Sequence, residues 1–141
     1  MKKVLLVFLA FLILISSAAA EDDPFLSDFN AYAAAVFGIS EIIQVEPNHY
    51  TAPDFEIMRD SGTVMVFGLN EDSETVLAAA CCVLRCVDNM GSMIDQYGRV
   101  MHAYFMCRSR DAGKEYRATT ENSVLIFVQR FSDRLIIRIM K

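Results

Sequence analysis

The sequence predicts an α+β fold: an antiparallel sheet of about four to six strands, one long helix packed on one face, and a shorter N-terminal helix. Three observations carry that reading. Apolar residues recur at helical spacing in two stretches, 24–38 and 75–97. Between and after them the pattern changes to short apolar runs bounded by Gly, Asn, Asp and Ser, as strands and turns require. No proline occurs after residue 53, so everything downstream is free to form continuous ladders or helices. Runs of strands joined by short turns, separated by a helix, describe α+β architecture.

The chain begins with a segment that is not part of this fold. Met1-Lys2-Lys3 is basic, Val4 to Ile15 is twelve unbroken apolar residues, and Ser16-Ser17-Ala18-Ala19-Ala20 is small, followed by Glu21-Asp22-Asp23. A basic start, an apolar core and small residues at the −3 and −1 positions are the three parts of a secretory signal peptide, with cleavage expected after Ala20. A membrane span needs roughly 20 apolar residues, and this core is shorter. Residues 1–20 are therefore read as a signal peptide and 21–141 as one domain, secreted or periplasmic.

The 141-residue chain carries a formal charge of −5, and removing residues 1–20 leaves −7. Residues 21–74 hold twelve acids and one base, whereas 75–141 hold six acids and ten bases. A net-acidic exported domain is repelled by phosphates, which argues against nucleic acid and against anionic membranes as partners. The asymmetry fits two halves folding against each other, or a basic C-terminal face meeting a partner. Arg130, Arg134, Arg138 and Lys141 are the residues that would form that face.

The elements follow in order. Pro24 to Gly38 reads as a helix, with proline at its start and glycine at its stop. Ile39 to Val45 is a short apolar run with strand character, and Glu46 to Asp54 is a loop bounded by Pro47 and Pro53. Phe55–Arg59 and Thr63–Leu69 form a β-hairpin around Asp60-Ser61-Gly62. Asn70 to Glu74 supplies caps and acids for the helix that follows. That helix is read as continuous to about residue 97, with Asn89-Met90-Gly91-Ser92 as the place where it would divide. Arg99–Cys107, Glu115–Thr120 and Val124–Val128 are read as strands. Leu135–Met140 is also read as a strand, although its basic residues recur at helical spacing.

Val124–Val128 and Arg99–Cys107 are apolar on both alternating faces, where a solvated strand should alternate with polar residues. The sheet is thus expected to be covered on both sides, by the long helix on one and by the N-terminal helix, a second subunit or a protein partner on the other.

Candidate chemistry is sparse. Cys81, Cys82, Cys86 and Cys107 permit disulfides in an exported protein. Neighbours on a helix point about 100° apart, and an i, i+4 pair is too widely spaced for a good bridge. This leaves Cys107 with Cys82 or Cys86, against the alternative of four buried thiols. His102 and Cys107 are expected on opposite sides of a strand, which disfavours a joint metal or nucleophile role, and no metal or other cofactor is expected. In the 46–54 loop, Glu46, His49 and Asp54 could serve a small enzyme, since a histidine beside carboxylates can exchange protons near neutral pH. No nucleophile elbow, zinc-binding His-Glu-x-x-His, phosphate loop or EF-hand pattern is present. The functional expectation is therefore a non-catalytic binding or protein-interaction module, with a homodimer or a protein as its partner.

Overall fold

A seven-stranded antiparallel sheet is the frame of this α+β protein. Its strands are β1 (Ile43–Glu46), β2 (His49–Thr51), β3 (Phe55–Asp60), β4 (Thr63–Gly68), β5 (Glu115–Thr119), β6 (Leu125–Arg130) and β7 (Leu135–Met140), in spatial order β1-β2-β3-β4-β7-β6-β5. The structure is a computed structural model and describes residues 23–69, 73–108 and 112–141. The expected signal peptide lies outside the described residues, as do part of the expected cap at 70–74 and residues 109–111.

Three α-helices complete the described residues: α1 (Pro24–Tyr32), α2 (Ser73–Val87) and α3 (Met93–Arg108). Asp23 caps α1, its carboxylate accepting the Phe25 N–H at 3.0 Å. The helix runs on as a π-helical turn, Ala33–Phe37, and stops at Gly38 with φ +63°. Asn30 ties that end down. Its amide donates to the Ile42 carbonyl at 3.1 Å and accepts from the Ile42 N–H at 2.8 Å, supplying the backbone pairing that the chain before β1 would otherwise lack.

The sheet has more strands than expected because the segment 46–54 is mostly hairpin. Pro47 fixes its own φ, Asn48 takes φ +61°, and the chain reverses at once into β2. The β3–β4 hairpin forms as predicted. Ser61 and Gly62 both have positive φ, the two-residue turn that suits twisted strands. The last segment, β7, sits between β4 and β6 near the middle of the sheet.

Two expectations are corrected by the helices. Residues 99–107 are not a strand; they are the body of α3. The signal was present in Gln96, Val100, Ala103 and Cys107, which recur at helical spacing and are the four buried positions of that helix. The β-favouring Val, Tyr and Phe residues obscured it, because propensity yields to which face can be buried. The preceding helix is divided at Asp88–Ser92, the alternative location named above. Asp88 is buried there, and both its carboxylate oxygens accept from the Asn122 amide at 3.0–3.1 Å. The Gln96 amide donates to the Asp88 carbonyl at 2.8 Å. A Cβ at position 91 would lie 2.3 Å from the Asp88 carboxylate and 2.4 Å from the Gln96 amide, so the joint is built around glycine.

The third correction concerns cover. Tyr50, Phe55, Ile57, Val66, Ile126, Ile137 and Ile139 point into one buried core. Helices α2 and α3 pack on that face, over β4 and β7 and over β5 and β6. The N-terminal helix joins them there, with Phe25 5.2 Å from Tyr50 and Phe29 6.1 Å from Phe55, ring centre to ring centre. None of the three lies on the opposite face. That face carries Met58, Met65, Phe67, Ile136, Phe127 and Leu125, none of them buried.

Candidate functional site

The helix layer carries an apolar groove. Its wall on α3 is a stripe of Met93, Ile94, Tyr97, Met101 and Phe105, spaced three and four residues apart. The stripe is largely exposed, with Ile94 87% exposed and Phe105 55%, while Met101 is partly buried against the core. The opposite wall is the π-helical turn. By widening the backbone it turns Val36 outward and sets Phe37 and Ile39 beside the stripe. The floor comes from Leu77, Ala78 and Cys81 of α2. Two adjoining hollows result, of about 540 Å³ and 280 Å³, with Phe37 and Tyr97 lining both, and the pair of them makes up the helix-side channel. Arg108 and Glu74 stand at the larger hollow, and Arg85 at the smaller. Chemically the channel offers desolvation of apolar groups with a few charges at its margins.

A second cavity, also about 540 Å³, lies between the start of α1 and the β3–β4 hairpin. Arg59 and Lys141 border it together with Asp28, Asp60 and Cys86. Both cations are engaged. Arg59 donates to Asp23 at 3.4 Å and to the Tyr50 hydroxyl at 3.1 Å, and its guanidinium lies 4.5 Å over the Phe25 ring. The Tyr50 hydroxyl in turn donates to Asp23. Lys141 donates to the Val87 carbonyl at 3.0 Å. This network fastens the first turn of α1 to the sheet, and burial, followed by the Asp23 carboxylate, holds the Tyr50 phenol above its ordinary pKa.

The sequence candidates are placed as follows. His49 Nε2 lies 3.3 Å from a Glu56 carboxylate oxygen, and Glu46 is its cross-strand neighbour. Asp54 is elsewhere: it precedes β3, at the end of that strand opposite to Met58, the partner of His49. Glu56 was missed in the sequence because its approach to His49 is created by the β2–β3 register, which the expected loop did not contain. The pair could exchange a proton, but of residues 46–54 only Asn48 borders the 540 Å³ cavity.

Arg130, Arg134, Arg138 and Lys141 are not gathered on one surface. Arg130 is paired with the buried Leu135 and so lies on the helix side. Arg134 is in the β6–β7 turn beside Asp133. Arg138 is on the uncovered sheet face, where it pairs with Glu115 and lies 4.9 Å over the Phe127 ring.

The four cysteines are free thiols. Cys107 is on α3 rather than on a strand, so the helix-to-strand bridge expected for it does not exist in this form. Burial pushes the Cys81 and Cys86 thiols up to about 12, and raises Cys82 and Cys107 as well. Thiols held protonated in apolar surroundings are poor nucleophiles. Among the described residues no cluster of His, Cys, Asp or Glu is arranged to hold a metal ion, and no helix is long and apolar enough to cross a membrane.

Comparison of the chain with protein-family models, with curated proteins and with solved structures finds no match.

Proposed function

We propose that this protein is an exported interaction module whose helix-side channel receives a short apolar segment of a partner protein. The observation that carries the proposal is the exposed stripe on α3, Ile94, Tyr97 and Phe105, set against Val36 and Phe37. An apolar stripe on the solvent side of a helix contributes little to folding and is costly in solubility unless something binds it. The channel is open and lined mainly by apolar side chains, with Ser73, Glu74, Thr75 and Arg108 at the larger hollow, which suits side chains of an apolar peptide segment with a charged flank. Export rests on the residues at the start of the chain and places the module outside the cytoplasm.

Two experiments test this. The full chain is expressed, and the intact mass of the protein in the medium or periplasm is measured; a chain beginning at Glu21 is expected, and retention in the cytoplasm overturns export. Purified protein is then panned against phage-displayed random peptides. The expected result is enrichment of sequences with apolar residues three and four apart, abolished by Tyr97→Asp combined with Phe105→Asp. Binding that survives both changes removes the channel from the proposal.

The alternative, a small extracytoplasmic enzyme, is favoured by one observation, the 3.3 Å contact of His49 with Glu56. Neither His49 nor Glu56 lines any of the cavities described above.

A further inference from the structure

The cavity between the start of α1 and the β3–β4 hairpin carries charges that do not cancel. Asp28 stands on α1, Asp60 ends β3, Lys141 follows β7, and Cys86 and Val87 close the wall from the last turn of α2. Arg59 is already neutralised, since its Nη1 lies 3.4 Å from the Asp23 carboxylate. Lys141 is not paired with a carboxylate among the described residues. Its ammonium donates one hydrogen to the Val87 carbonyl at 3.0 Å, and two of its three donors are left. The carboxylates of Asp28 and Asp60 have no hydrogen-bond or ion-pair partner among the described residues. The side-chain charge left over is two negative and one positive, on three different elements.

We infer that this cavity binds a free basic α-amino acid, lysine or arginine. Such a molecule carries two cationic groups and one carboxylate, the complement of the unpaired lining. The hairpin end sorts them. Asp60 and Lys141 both belong to that end: Thr63 pairs with Asp60 on one side and with Met140 on the other, and the Lys141 N–H donates to the Gly62 carbonyl at 3.3 Å. An α-carboxylate and an α-ammonium share one carbon, so they need receptors on the same side, and Lys141 and Asp60 supply them. The ligand's side chain then lies over Phe25, Val64 and Val87 and carries its distal charge to Asp28 on α1. Its methylenes leave water for apolar surface while the charged tip keeps a partner, which is how long basic side chains are buried at least cost.

The same count sets the selectivity. A neutral amino acid leaves Asp28 unmatched, a diamine leaves Lys141 unmatched, and an acidic amino acid brings like charges together. The volume, about 540 Å³, is in the range of small-molecule sites. Most of the lining comes from residues 21–74, whose twelve acids against one base draw cations toward it. No residue lines both this cavity and the helix-side channel, so the two sites are separate and each can bind without the other.

The test is isothermal titration calorimetry on the full chain as purified, at neutral pH, with L-lysine and L-arginine as titrants. Saturable one-site binding is expected, with a Kd below about 1 mM. Three probes each remove one charge: lysinamide lacks the carboxylate, Nα-acetyl-lysine the α-ammonium and norleucine the distal ammonium. Each should bind roughly ten-fold or more weakly than lysine. Asp28→Asn should abolish the preference for lysine over norleucine, and Asp60→Asn the preference for lysine over Nα-acetyl-lysine. Both residues are exposed, and circular dichroism checks that the variants stay folded. Tyr97→Asp combined with Phe105→Asp should leave lysine binding unchanged. Absence of saturation by either amino acid at about 10 mM overturns the inference. So does binding that ignores both aspartate changes, or lysinamide bound as tightly as lysine, since Lys141 would then read no carboxylate.

Discussion

At the residue scale the four cysteines are the most informative positions, because one chemical type is held in one environment. Burial raises the Cys81 and Cys86 thiols to about 12 from an ordinary value near 9. Between those values the unfolded chain loses protons that the native chain keeps. The native state binds the proton more tightly, so the stabilisation is complete below about pH 9 and is lost as pH rises toward the folded value, at about 1.4 kcal/mol per pH unit for each thiol. Tyr50, raised by burial, adds to the same loss above about pH 10. Denaturant melts at several alkaline pH values should therefore show a steep fall, and Cys81→Ala should flatten it by one thiol's share. A labelling measurement gives a second check: with no reductant, four thiols per chain react in denaturant, and the folded protein reacts more slowly by roughly a hundred-fold or more. Two thiols in place of four would show a disulfide. The even cysteine count alone could not choose between these outcomes, since pairing depends on which element Cys107 occupies, and the expected strand there is a helix.

At the element scale the joint between α2 and α3 carries the clearest dependence on a single residue. Asp88 is buried and is shared by Asn122 from the β5–β6 loop and Gln96 from α3, with Arg85 donating to the Gly91 carbonyl at 2.7 Å. Gly91→Ala places a methyl group against both Asp88 and Gln96, and the expected cost is about 1–3 kcal/mol, from overpacking and from broken hydrogen bonds. In an Asp88→Ala background that cost should shrink markedly, which a double-mutant cycle of denaturation free energies measures directly; additive losses would mean the two residues act separately. The break was legible as a location, because Asn89-Met90-Gly91-Ser92 is a run of helix-stopping residues. That the break is obligatory was not legible. It depends on Asn122, which lies 34 residues away in sequence.

At the scale of the whole molecule, apolar residues are divided among three destinations: a core, a channel on the helix layer and an uncovered sheet face. The division makes a contrast in stability. Leu84 is wholly buried, and Leu84→Ala should cost about 2–5 kcal/mol. Ile94 is 87% exposed, and Ile94→Ser should leave stability within about 0.5 kcal/mol while reducing binding of a hydrophobic dye. Urea melts of the two variants, with dye fluorescence on the second, check both. A large loss from Ile94→Ser would mean that the α3 stripe belongs to the core, and the channel would lose its claim to be a binding surface. The excess apolar content visible in the composition is thereby assigned to surfaces as well as to the interior.

The sequence by itself determined the α+β class, the β3–β4 hairpin through Ser61-Gly62, the start of α1 at Pro24 and the strand nature of Leu135–Met140. These depend on local chemistry: a positive φ that glycine tolerates, a proline without an N–H, a run of β-branched side chains. It also showed that β6 is apolar on both sides. Tertiary structure decided which apolar residues face the core, turned 99–107 from an expected strand into α3, placed all three helices on one side of the sheet and brought Glu56 to His49. Those outcomes follow from packing between segments distant in the chain. A side chain such as Phe105 or Met65 has the same hydrophobicity wherever it points, and only the assembled layers determine which of them remain facing outward.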